Sequence, residues 1–176
     1  VKCVLMPNLL IHNARCVATL DHADPARARE LPDTSIFIRD HRIAFVGPAA
    51  DLPADALAAD AVIDARRHLV TPGLVNTHHH MFQSLTRAIP AVQNAELFGW
   101  LGGLYPLAGL TPEMVQVSTQ MAMAELLLSG CTTSSDHLYI YPNGVRLDDS
   151  IAAARQIGMR FCATRGSMSV GQSQGG

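Results

Sequence analysis

An α/β fold built on a parallel sheet is what the 176-residue sequence predicts, and three observations carry that prediction. The run GLVNTHH, beginning at Gly73, is a near-continuous apolar strand of the kind buried in parallel sheets. Two later runs, CTTSSDHLYIY and RFCATRGSM, read as further strands. Helical segments separate the three. Parallel neighbours need a crossover between them, so the order strand, long excursion with helix, strand, helix, strand argues for βα units.

The elements before Gly73 have another character. LLIHNARCVATL is strand-like. SIFIRDHRIAFVG reads as a hairpin, with Ile36 and Ile38 alternating before Asp40-His41 and Ile43 and Phe45 after it. DHADPARARELPD is polar, carries two prolines and reads as a loop. PAADLPADALAAD reads as a turn with a short helix, and AVIDARRHLVTPG as a strand ended by Pro72-Gly73. Beyond the first parallel strand, LTPEMVQVSTQMAMAELLLSG is the clearest helix. Thr111 is its predicted N-cap, Pro112 its first residue and Gly130 its stop. Met114, Val115, Met121, Ala122 and Leu126 recur at helical spacing and are its predicted buried face. DDSIAAARQIGM is a second helix, with Asp149 or Ser150 near its cap.

Composition narrows the class. The chain is 48% hydrophobic and 16% charged, which is globular rather than disordered. A net charge of -2 without a basic run gives no footprint for nucleic acid or an anionic membrane. No apolar run reaches the roughly 18 to 20 residues that a spanning helix needs. VKCVLMPNLL lacks the features of a secretory signal. Cys3, Cys16, Cys131 and Cys162 form no CxxC pair and read as reduced thiols of a cytoplasmic protein. The sequence has no initiating Met and its SMSVGQSQGG end reads as a loop, so the expectation is a piece of a longer protein.

Chemistry concentrates in TPGLVNTHHHMFQ. Side chains alternate along a strand, so His78 and His80 are expected on one face and His79 on the other. Two imidazoles at i and i+2 can meet one metal ion, and imidazole suits zinc or iron. The bland alternative is a solvated loop. A purification tag would be terminal and longer, whereas this run is embedded behind an apolar strand. Two ligands are fewer than the three that catalytic zinc usually takes from protein. Asp136-His137 closes the next strand and is a candidate for the pocket rim or for a supporting place behind the metal ligands, or else a turn with a surface histidine. His12, His22, His41 and His68 are scattered and read as structural or exposed.

The stretch PGLVNTHHHMFQSLTRAIP resembles the amidohydrolase superfamily, whose first barrel strand ends in HxH. Pro72, Gly73, Leu74, Val75, Asn76, His78 and His80 match its pattern. LTPEMVQVSTQMAMAELLLSGCTTSSD is similar to the helix and second strand of the cytosine and guanine deaminase-like branch. NTHHHMFQSLTRAIPAVQNAELFGWLGGLYPL and TRGSMSVGQSQGG are similar to the 8-oxoguanine deaminase group and its hydroxydechloroatrazine ethylaminohydrolase neighbours. The resemblance implies the N-terminal part of a metal-dependent (β/α)8 TIM barrel preceded by a small β-sandwich domain. Residues 1–66 would be strands of the sandwich, and residues 67–176 the first three βα units of the barrel.

The resemblance further implies a metal-dependent hydrolytic deaminase of an amino-substituted purine, with 8-oxoguanine giving urate and ammonia. One divalent ion, zinc before iron, would take His78 and His80 as ligands and activate water as hydroxide. Gln83 matches a glutamine that hydrogen-bonds the purine in guanine deaminase-like members. Trp100 is a candidate cover over the pocket, against the alternative of a core tryptophan, and Arg87 and Arg165 are further candidate polar contacts. The family's remaining ligands and its proton-transfer residues, on later strands, match no residue here. These 176 residues alone are therefore expected to be inactive. The HxE and PCxxC pattern of the other zinc deaminase fold is absent. Alternatives are an s-triazine, pterin or guanine aminohydrolase, and, from a different class, a noncatalytic metal-binding protein. The expected partner is a small heterocycle, with no nucleic acid or membrane, and self-association is left open.

Overall fold

The computed structural model describes residues 8–21, 29–104 and 109–167. Two compact units make up the chain, Val1–Pro72 and Gly73–Gly176. The first holds β1 (Leu9–Ala18), β2 (Glu30–Arg39), β3 (Arg42–Pro48), β4 (Ala61–Asp64) and β5 (Leu69–Val70). They form one sheet in the order β3-β2-β1-β4, with β5 also on β1. β1–β2 and β2–β3 are antiparallel, while β4 and β5 run parallel to β1. The predicted hairpin is present. Asp40 and His41 sit at φ 48° and 67°, the two left-handed residues of a type I′ turn between paired Arg39 and Arg42. Ile36 and Phe37 point to opposite faces. Ile36 packs with Ala14, Val17 and Ala65, and Phe37 with Leu10 and Ala56.

Two expectations change in this unit. Glu30–Asp33, read as loop, starts β2 and pairs with β1. Strand β3 reaches only Thr34, so Pro32 lies where a missing N–H costs no ladder bond. Residues 22–28 of that stretch, His22 included, lie outside the described residues. The predicted strand AVIDARRHLVTPG is interrupted at Ala65, whose N–H donates to the His12 carbonyl at 2.9 Å. Its second half, Leu69–Val70, runs beside Cys16–Val17. The first unit therefore extends to Pro72, past the boundary after residue 66 read from the sequence.

The second unit contains β6 (Leu74–Asn76), α1 (Leu97–Leu104), α2 (Pro112–Leu128), β7 (Cys131–Leu138), α3 (Leu147–Ile157) and β8 (Arg160–Arg165). Its sheet is β6-β7-β8, parallel throughout, as the alternation of elements predicts. Gly73 is required by close approach, because a Cβ there would lie 2.1 Å from the Thr132 hydroxyl. α2 begins as predicted: the Thr111 hydroxyl accepts from the Met114 N–H at 3.3 Å, and Pro112 follows. Its buried face is Val115, Ser118, Thr119, Ala122 and Met123. Met114 is exposed instead. The Ser118 hydroxyl satisfies itself on the Val115 carbonyl at 3.0 Å, which lets a small polar residue face the core. One core cluster joins Met81, Ala122, Met123, Cys131, Ala154 and Met159. A second joins Phe82, Leu110, Val115, Leu138 and Val145.

The apolar run at β6 is shorter and less covered than predicted. The Asn76 carboxamide oxygen accepts from the His78 N–H at 3.0 Å, an Asx turn that ends the strand before the histidines. Leu74 and Val75 are 58% and 64% exposed. In α3 the cap is Arg146, whose N–H donates to the Asp149 carboxylate at 2.8 Å. Residues 168–176, the end of TRGSMSVGQSQGG, lie outside the described residues.

Candidate functional site

Parallel β6 and β7 end on the same side of their sheet, and the chain gathers its ionisable and aromatic groups there. His78, His79 and His80 follow the Asx turn and lead into a short 3₁₀ helix, Met81–Thr86. Two bonds tie this segment to the end of β7. The His137 N–H donates to the His79 carbonyl at 2.9 Å, and the Met81 N–H donates to the Asp136 carboxylate at 2.8 Å.

The histidines stand beyond the strand, which ends at Asn76. The rings of His78 and His80 lie 5.4 Å apart, edge to face. His79 is half-buried, and burial pushes its pKa below the ordinary value while nearby Asp136 opposes the shift. His80 is the best oriented. Its Nδ1 is 2.9 Å from the His137 carbonyl, which can only accept, so Nδ1 carries the proton. In the neutral ring Nε2 is then the nitrogen that holds the lone pair a cation needs. Metal-binding histidines are held in this way by a backbone carbonyl. The donor chemistry of His78 and His80 thus fits two ligands of a divalent ion. Among the described residues, no group of three or more His, Cys, Asp or Glu is arranged to hold one.

Asp136 is 1% exposed, and burial pushes its carboxyl pKa up against the opposing Met81 N–H bond. One of its oxygens accepts from Met81; the other, like His79 Nδ1, is buried without a hydrogen-bond partner. Of the two places the sequence offered this residue, the rim or behind the histidines, its burial and its bond to Met81 fit the second: it clasps the histidine segment from beneath. His137, beside it, is exposed, with its ring 5.6 Å from that of His80.

The structure sorts the candidate substrate contacts. Gln83 is near the histidines, its Nε2 donating to the Tyr139 hydroxyl at 2.6 Å. Tyr139 also sets its ring edge-on to His80 at 5.2 Å and to Phe82 at 5.3 Å. Sequence reasoning missed Tyr139. The period-two step from His137 to Tyr139 at a strand end was the signal that could have found it. Trp100 is half-buried on α1, while the rings around His80 among the described residues are those of His78, His137 and Tyr139. Arg87 forms a two-pronged pair with Glu125 of α2, at 2.9 and 2.8 Å, and is committed there. The Arg165 guanidinium lies 5.1 Å from the Tyr141 ring centre. In the first unit, a hollow of about 330 Å³ is lined by Asp64, Arg66, Arg67 and His68. Its Asp64–Arg66 pair is exposed, and it gathers no set of ligands comparable to the histidines.

Residues 69–175 match the amidohydrolase family. The chain belongs to that family. It is 49% identical over 144 residues to 8-oxoguanine deaminase from Pseudomonas aeruginosa, covering 80% of this chain and 32% of the relative. It is 33% identical over 165 residues to isoxanthopterin deaminase from an unknown prokaryotic organism, covering 91% and 33%. It is 34% identical over 158 residues to hydroxydechloroatrazine ethylaminohydrolase from Pseudomonas sp. strain ADP, covering 82% and 32%. Among solved structures, a mutant atrazine chlorohydrolase from Arthrobacter aurescens TC1, complexed with zinc and atraton, superposes with a TM-score of 0.79. The identity is 32%, over 96% of this chain and 38% of that one. The amidohydrolase chain thus spans about a third of the length of the curated relatives it matches.

Proposed function

We propose that this amidohydrolase segment belongs to a hydrolytic deaminase of an amino-substituted purine, with 8-oxoguanine as the substrate. The supporting observation is the orientation of His80, held at Nδ1 by the His137 carbonyl beside the ring of His78. The 49% identity to an 8-oxoguanine deaminase supports the substrate. In this proposal His78 and His80 hold one divalent ion, zinc before iron, in a cytoplasmic enzyme. A small β-sandwich would precede a (β/α)8 barrel. When bound, such an ion supplies the acidity that makes water a nucleophile at neutral pH. The carbonyl of His137 keeps His80 in the tautomer that can bind the ion. Gln83 binds the purine edge, because a carboxamide both donates and accepts. Trp100 is proposed as a cover over the heterocycle.

A second substrate has support of its own. The 34% identity to a hydroxydechloroatrazine ethylaminohydrolase, and the fold match to a chlorohydrolase crystallised with atraton, favour an s-triazine on the same site. Ammonia release from 8-oxoguanine, guanine, isoxanthopterin and hydroxylated s-triazines by the full-length protein separates the two. Metal is measured on the same sample. The expected result is turnover of 8-oxoguanine with about one ion per chain, both lost in the His78→Ala, His80→Ala double variant. Turnover of a triazine alone would move the substrate. A metal-free, inactive full-length protein would overturn the proposal and leave the histidines without a catalytic role.

A further inference from the structure

We propose that Tyr139 is the positioning residue of the substrate site, acting through Gln83 with its hydroxyl and on His80 with its ring. The inference rests on the reading of Gln83 as a purine contact and extends it to a residue outside the HxH segment.

Three observations carry it. The phenol oxygen accepts from Gln83 Nε2 at 2.6 Å, 56 residues away in the chain. A glutamine side chain has three free torsions, and an anchored amide loses far less freedom when a ligand arrives. One N–H is spent on Tyr139, so the carboxamide keeps one acceptor and one donor. That pair suits a heterocycle edge carrying both functions, such as a lactam. Next, the Tyr139 ring stands edge-on to His80 at 5.2 Å and to the buried Phe82 at 5.3 Å, so it is braced by the core while touching the candidate ligand. Finally, Gly166 leaves room for it. A Cβ at Gly166 would lie 2.5 Å from the Tyr139 Cβ and 2.8 Å from His137 Nε2. The Gly166 N–H donates to the Leu138 carbonyl at 2.7 Å, which holds that backbone against the end of β7.

The hydroxyl and the ring are separable. Tyr139→Phe keeps the ring and removes the anchor. In the full-length, metal-loaded protein it should leave metal content unchanged and lower kcat/KM for 8-oxoguanine about tenfold, mostly through KM. Tenfold is the scale of one neutral hydrogen bond. If Tyr139 acts through Gln83, the effects do not add: Gln83→Ala with Tyr139→Phe should be no worse than Gln83→Ala alone. A merely structural Tyr139 would add its penalty to that of Gln83→Ala, which overturns the proposal. So would a Tyr139→Phe variant with wild-type KM. If Gln83→Ala itself has no effect, the underlying reading of Gln83 fails and Tyr139 falls with it. Equilibrium binding of 8-oxoguanine gives the same cycle independently of turnover, and a wild type that neither binds nor deaminates it overturns both.

Discussion

Asp136 packs under the histidine segment with a single bond that matters most, the one it accepts from the Met81 N–H at 2.8 Å. The residue is 1% exposed, so no water replaces that acceptor when it is removed. Asp136→Ala should therefore strand a buried N–H and cost about 1–3 kcal/mol. Asp136→Asn keeps an oxygen for Met81 and removes a carboxylate whose charged form burial already disfavours, so it should cost less than Asp136→Ala. Urea denaturation of the two variants checks the order. Equal losses would mean that the shape of the side chain, not its acceptor, holds the segment. The sequence left Asp136 between the rim and a supporting place behind the histidines, because residue type and strand position are readable, whereas burial is not. The same limit hid Tyr139, whose partner Gln83 is 56 residues away. His78 and His80 were legible because only their spacing, i and i+2, was needed.

Elements were legible where their signals are local. Thr111, Pro112 and Gly130 bound α2 as read, since a cap, a fixed φ and a left-handed stop each involve a few adjacent residues. Thr111→Ala should cost about 1 kcal/mol by freeing the Met114 N–H. Gly130→Ala, at φ 86°, should cost about 1 kcal/mol for the left-handed backbone. Thermal melts of both test the capping account, and a silent Gly130→Ala would remove the conformational argument. The extent of β6 was not legible, because a polar Asn76 side chain closes the strand on the His78 N–H. A further clasp joins the 3₁₀ segment to α2. Arg87 lowers the pKa of Glu125 below its ordinary value of 4.5 by direct hydrogen bonding. A depressed carboxylate stabilises the fold above its unfolded pKa, and that stability is lost as pH falls through the folded value. The pair is exposed, so the effect should be small and weakened by salt. Melting temperature against pH should fall more steeply below pH 4.5 for wild type than for Glu125→Gln. Parallel curves would show that the pair contributes nothing.

For the whole molecule, what the sequence could not convey is pairing between distant residues. The boundary read after residue 66 put Leu69–Val70 with the barrel units, yet this pair lies beside β1 in the first unit. The parallel order of β6, β7 and β8 was legible because each crossover carries its own helix signals. Leu74 and Val75 give the measurable consequence. They are apolar, as a strand covered on both faces requires, and yet 58% and 64% exposed, with β6 bonded in its sheet, among the described residues, only to β7. A βα barrel covers such side chains only when eight strands close the sheet on itself. The second unit has three strands among the described residues. The 176-residue chain expressed alone should therefore bind a hydrophobic dye such as ANS strongly and release no ammonia from any substrate of the panel. The full-length protein should do the reverse. Leu74→Thr with Val75→Thr should lower dye binding by the short chain while destabilising the full-length protein, because closure of the proposed eight-stranded barrel would bury the two side chains that this chain exposes. A short chain that deaminates 8-oxoguanine at the full-length rate would show that three strands suffice, and the barrel would then be scaffold rather than a requirement of the chemistry.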